Sequence, residues 1–266
     1  MKWFRNAIAI AGRELGAMFV SPIAYVCLSG FAVLSGWIFF NLLARFLQVS
    51  GIYMQLAAQR PDLLAQLNLI DMVLQPTFLN MTVILLLLFP LLTMRLLSEE
   101  RARHTDELLL TSPISTGSIV FGKFLAVAVV YIGMLAMSFS YVAVLMIYGS
   151  PPPALSEIAS AYLGLLLMGL TFGAIGLFTS SLTSNQIVAA VSCFVVLLLF
   201  YVIDWMAMST SGTTRDVLEY LSLVRKYQDF VKGIVDVRGL VYFSSIVALG
   251  LFLSKASLDT LRVRSN

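Results

Sequence analysis

The stretch from Ile158 to Ile203 contains no Asp, Glu, Lys or Arg. A membrane helix needs about 20 residues, at about 1.5 Å per residue, to cross roughly 30 Å of hydrocarbon. The stretch is too long for one crossing, and the polar patch Ser180, Ser181, Thr183, Ser184, Asn185 and Gln186 divides it into two. A chain built on such a segment folds in lipid, where only helices or closed barrels satisfy the backbone.

Four further apolar stretches complete the pattern. Ser21-Pro22 breaks the chain before an uncharged stretch from Ile23, because proline lacks a backbone donor and restricts its predecessor. Met72 to Met94 is uncharged, with Pro90 near enough to the end to kink a helix. Phe124 to Ser156 is uncharged to the turn at Ser150 to Pro153, and Gly239 to Ser254 is apolar again. The expected spans are 22–44, 72–94, 120–148, 158–180, 186–207 and 238–255, in a single domain over 1–266. A loop at 95–118 and outer loops at 45–71 and 208–237 join them. The fold class is an all-α integral membrane protein with six transmembrane helices.

Residues 2–19 place Trp3, Ala7, Ala11, Leu15 and Met18 on one helical face and Lys2, Arg5, Ala9 and Arg13 on another, the pattern of an amphipathic interfacial helix. Arg13 and Glu14 interrupt this segment before a signal-peptide core is complete. Charged residues make up only 12% of the chain, against about 25% in soluble domains. The net charge of +3 comes from Lys and Arg at span ends, which gives nucleic-acid binding no support.

Six crossings put both termini on one side. That side collects ten Lys and Arg against seven opposite, so the positive-inside rule predicts cytoplasmic termini. The expected setting is a bacterial plasma (inner) membrane.

The segment from Glu99 to Ser115 reads EERARHTDELLLTSPIS. Glu99 with Arg103, and Arg103 with Glu107, stand four apart and support a short exposed helix. Three adjacent leucines, Leu108 to Leu110, form an apolar patch that needs a cover, either the chain's own span ends or a partner. Here Glu99, Glu100, Thr105, Glu107 to Thr111 and Pro113 resemble the cytoplasmic signature of type 2 ABC transporter permeases, with His104 where that pattern commonly has glycine. SPIAYVCLSGFAVLSGWIFF, from Ser21, resembles the first-span opening of the gliding-motility-type branch, and GKFLAV and the residues from Ile234 to Phe243 extend the likeness.

The resemblance implies an ABC exporter permease that acts as a dimer with a second copy or a paralogue. ATP and Mg would bind to a separate ATP-binding subunit, and an extracytoplasmic auxiliary subunit would complete the assembly. The loop would be a coupling helix, with Glu99, Glu100, Thr105, Glu107, Leu108, Leu109 and Pro113 contacting the ATPase. An amphipathic segment from Thr213 to Arg238, carrying Tyr220, Tyr227 and Phe230, resembles the external gate of such exporters; the same residues suit an interfacial anchor equally well.

Other signals carry less. Gly117 to Lys123 fits most of a phosphate-binding loop, but Phe124 replaces the Ser or Thr that holds magnesium and no strand precedes it, so it reads as a helix start with an interfacial lysine. His104 is the only histidine, which removes the usual zinc sites and a Ser-His-Asp relay. Asp71 and Asp204 stand at span edges and read as helix-end residues, while Cys27 and Cys193 read as small core residues. The twelve methionines are scattered as core filler rather than arranged for copper. Gly169, Gly173 and Gly176 form a small-residue face for close helix packing, within one subunit in preference to dimerisation. No catalytic, cofactor or metal site is expected on this chain. An intramembrane enzyme acting on lipids would need ionisable residues deep in a span, and an uncoupled channel or scaffold would act without an ATPase; both stay as alternatives.

Overall fold

The computed structural model describes residues 2–56, 67–103, 114–149 and 152–264. All regular structure among them is helical. In chain order the helices are α1 (Lys2–Val20), α2 (Pro22–Leu56), a π-helical turn (Ile70–Leu74) running into α3 (Gln75–Thr93), α4 (Ser98–Ala102), α5 (Thr116–Tyr148), α6 (Leu155–Leu182), α7 (Gln186–Met208), α8 (Thr213–Leu221), α9 (Leu223–Val231) and α10 (Val237–Arg264). Six helical stretches are long and apolar enough to cross a membrane: α2, α3 with its flanking turns, α5, α6, α7 and α10. The first and last described residues therefore lie at one end of the bundle, here the terminal end, together with α4 and the start of α5. The α8–α9 segment lies at the far end.

Burial separates these helices into two classes. Two thirds of the most apolar window of α3, α5 and α6 is buried in the bundle, against 17% for α7 and 28% for α2 and α10. The first three form the centre, where Phe89 of α3 packs edge-on against Tyr131 of α5 and Phe172 of α6. The other three turn apolar side chains outward, as lipid-facing helices do.

Two boundaries differ from the expectation. α2 does not stop near Arg45 but continues to Leu56, because Leu42, Leu43 and Phe46 keep one face against the core while Arg45 points outward. Ser180 and Ser181 belong to α6 rather than to the break after it, which falls at Thr183 to Asn185. Asn185 ends that break by accepting the Ile187 and Val188 amides, a side-chain N-cap that starts α7.

Candidate functional site

At the terminal end, α1 lies across the start of α5. The contact is so close that a Cβ on Gly122 would stand 2.7 Å from the Ala7 carbonyl and 2.9 Å from Ile10, so only glycine admits α1 there. Ala7 and Ala11 are the buried residues of α1, and the Trp3 ring packs on Phe121 at 5.4 Å.

The next residue, Lys123, is 1% exposed. Burying an ammonium is costly unless it is paired. Its Nζ donates to Glu14 Oε1 of α1 at 3.0 Å and pairs with Glu100 Oε1 of α4 at 2.9 Å. Arg13 bridges the same two carboxylates at 3.4 and 3.3 Å from the solvent side. The expectation of an interfacial lysine is thus corrected: Lys123 is a buried cation shared by carboxylates of two other elements.

α4 has a second seat. Ser180 Oγ of α6 accepts the backbone N–H groups of Leu97 and Ser98, both at 3.1 Å, and donates to the Met94 carbonyl. These are the amides that a helix start leaves without partners. Glu99 pairs with Arg103 one turn on, at 2.7 Å. Where the chain returns to the described residues, Ser115 caps α5, Thr116 Oγ1 donates to Asp259 of α10 at 2.7 Å, and Ser257 Oγ donates to the Ser181 carbonyl. Of the loop residues expected to contact an ATPase, Glu99 and Glu100 are placed in this way. Thr105, Glu107, Leu108, Leu109 and Pro113 lie outside the described residues.

At the far end, α9 inserts among the spans. Leu223, Val224, Tyr227, Phe230 and Val231 are buried at i, i+1, i+4, i+7 and i+8, one continuous face. Phe230 fills the notch left by Gly164 of α6 and Gly239 of α10, where a Cβ would stand 2.5 and 2.7 Å from it. Ser160 Oγ donates to the Phe230 carbonyl at 2.7 Å. Ser222 caps α9 by accepting the Arg225 amide, and its hydroxyl donates to Asp204 at 3.2 Å. Asp204 is 4% exposed inside α7, so it is a buried acceptor for the α9 start rather than a helix-end residue.

The three aromatic residues assigned to an outer gate separate. Tyr227 and Phe230 are buried, whereas Tyr220 on α8 is exposed, 6.0 Å from the Tyr242 ring, with Lys226 Nζ over its face. The Tyr227 hydroxyl is buried and has no hydrogen-bond partner among the described residues.

The glycine stripe on α6 faces its own bundle. A Cβ on Gly169 would collide with the Tyr131 ring and one on Gly176 with Thr93, while Gly173 meets Phe89 and Val127 at an ordinary 3.4 Å. Tyr131 donates its hydroxyl to the Leu165 carbonyl, which locks α5 to α6 beside Gly169. Cys27 and Cys193 are buried and free.

The roles of Lys123, Glu14, Gly122 and Ser180 could not be read from local sequence. They depend on contacts between elements about a hundred residues apart, and the only local signal was the misleading phosphate-loop spacing at Gly117 to Lys123. No match to a curated protein is found. The profile of the ABC-2 family transporter proteins matches residues 8–255, from α1 through the six crossings into α10. The chain therefore belongs to the ABC-2 family and is the membrane-spanning permease component of an ABC transporter.

Proposed function

We propose that the chain is the permease subunit of an exporter in which a separate ATP-binding subunit docks on the loop from Glu99 to Pro113. In this reading two permease chains, identical or paralogous, assemble with two ATPase subunits. The loop and both termini face the cytoplasm of a bacterial cell. The first-span opening from Ser21 favours the gliding-motility-type branch.

The observation that carries this reading is the seating of the loop's first turn. Glu100 is joined through buried Lys123 to α1 and α5, and the amides of Leu97 and Ser98 are held by α6. A push on the loop therefore has a stiff path into a central span and into the interfacial helix. A loop serving only as a connector has no need of a buried lysine. At the far end, α9 would act as the outer gate, with Tyr227 and Phe230 as its inward face and Tyr220 as its membrane-surface anchor.

The test is capture of an ATPase from native membranes by the tagged full chain. Wild type retains nucleotide-hydrolysing activity. Glu107→Arg or Leu108→Arg abolishes capture while the chain keeps its melting temperature in detergent. Undiminished capture by both variants rules out the loop as the docking element.

A further inference from the structure

A cavity of about 280 Å³ opens beside the coupling loop, between α1, the α1–α2 elbow, the end of α3 and α4. Its walls divide by chemistry. Val20, Ile23 and Leu92 supply an apolar side, and Glu14, Arg95, Glu99 and Arg103 supply charge.

Those charges are not equally engaged. Glu14 is held by Lys123 and Arg13, and Glu99 is held by Arg103. Arg95 has no carboxylate partner among the described residues. Its guanidinium is oriented by two neutral acceptors: Nε donates to Gln186 Oε1 at 3.1 Å and Nη1 donates to Ser21 Oγ at 3.2 Å. Three chain segments thus aim a full positive charge whose remaining N–H donors have no acceptor among the described residues. A guanidinium fork fixed in this way suits a phosphate, which accepts two parallel charge-assisted bonds.

The depth of Arg95 names the source of that phosphate. Ser21 directly precedes one span, Arg95 stands two residues past the end of α3 in a second, and Gln186 begins a third. Three span ends meet there, which is headgroup level. Beside the elbow, Phe19 and Tyr25 form an exposed edge-to-face pair at 5.7 Å, an aromatic anchor of the kind found at membrane interfaces. Val20, which lines the cavity, is 90% exposed, an uncovered apolar side chain beside the Arg95 guanidinium's pocket.

We infer that Arg95 and this cavity bind the phosphodiester of an anionic phospholipid from the leaflet at the terminal end. The headgroup phosphate sits on the Arg95 fork, and the glycerol and upper acyl chains lie along Val20, Ile23 and Leu92. Because Glu14 and Glu99 are already engaged, the site has no carboxylate for a headgroup ammonium and favours an anionic lipid over a zwitterionic one. The site does not depend on an ATPase being present.

The test uses the full chain in nanodiscs of phosphatidylcholine with phosphatidylglycerol, released into mild detergent and weighed by native mass spectrometry. Wild type retains one phosphatidylglycerol and no phosphatidylcholine. Arg95→Gln retains it about tenfold less, as expected for loss of charge-assisted bonds. Val20→Glu, at an exposed position that leaves the Arg95 contacts intact, also lowers retention, and Arg103→Gln, which frees Glu99 in the cavity wall, narrows the preference for phosphatidylglycerol over phosphatidylcholine. Equal retention by wild type and Arg95→Gln, or equal retention of both lipids, overturns the assignment. A parallel arm adds inorganic phosphate alone: displacement of the lipid at low millimolar phosphate assigns the site to a free anion instead. Absence of lipid from wild type, with Arg95 shielded from modification only when an ATPase subunit is bound, assigns it to the partner.

Discussion

The two ends of this bundle are closed by different physics. At the terminal end, α1, α4 and α5 meet on charges: one buried lysine between two carboxylates, with an arginine across the same pair. At the far end, α9 presents a continuous apolar face, with Phe230 in a notch of two glycines and a Tyr227 hydroxyl that has no partner among the described residues, and two hydrogen bonds, from Ser160 to the Phe230 carbonyl and from Ser222 to Asp204, tie it down. Charged hydrogen bonds are directional and transmit displacement, because moving one group strands the others in a poorly solvated place. A mostly apolar face held by two hydrogen bonds carries fewer such constraints and can tilt at lower cost. The contrast is the one the proposed function calls for, a push at one end and an opening at the other.

The comparison breaks most sharply at Gly164. A valine there would place its Cβ 2.5 Å from the Phe230 Cβ, an atom that no rotamer change removes. α9 must leave its groove, at about 3 kcal/mol as for severe overpacking. Differential scanning fluorimetry then shows a lower melting temperature, and a cysteine at Val231, buried in wild type, becomes reactive.

Lys123→Met comes next, because it leaves Glu14 and Glu100 facing each other. Breaking a fully buried pair costs about 3–5 kcal/mol; here the carboxylates are partly exposed and Arg13 remains, so about 2 kcal/mol is expected. Combining it with Glu14→Gln costs clearly less than the two single losses added, which a double-mutant cycle in denaturant reads directly.

Tyr227→Phe has the opposite sign. It removes a buried hydroxyl that has no partner among the described residues and keeps the ring, so the chain is stabilised by about 1 kcal/mol and α9 exchanges its amides more slowly. A destabilised variant would mean that the hydroxyl has a partner. The smallest effect is at Arg215, whose pair with Glu219 at 2.8 Å is on the α8 surface. Exposed pairs contribute little, and Arg215→Gln leaves the melting temperature unchanged.

Much of the architecture was legible in the sequence because lipid imposes a simple rule, uncharged stretches of sufficient length, and six such stretches correspond to six long apolar helices. Departures from the rule had local causes. Arg45 looked like a span end, but an exposed arginine on a helix that keeps its leucines inward does not stop it. Ser180 looked like part of a break, yet a serine inside a helix can turn its hydroxyl to a neighbouring chain. The candidate site was legible only as a loop motif. That Glu100 is seated on Lys123, and that Gly122 admits α1, follows from tertiary contact, which no spacing in a single segment encodes.

If the loop after α4 couples to an ATPase as proposed, α1 and the first turn of that loop move as one body. Spin labels at Ile8 and Ala102, both exposed, report the α1–α4 distance in the permease–ATPase complex. Wild type should give one narrow distance distribution, the same in nucleotide-free and vanadate-trapped states, while Lys123→Met broadens or shifts it on trapping. A wild-type distance that changes between the two states, with Lys123→Met behaving identically, would contradict the account.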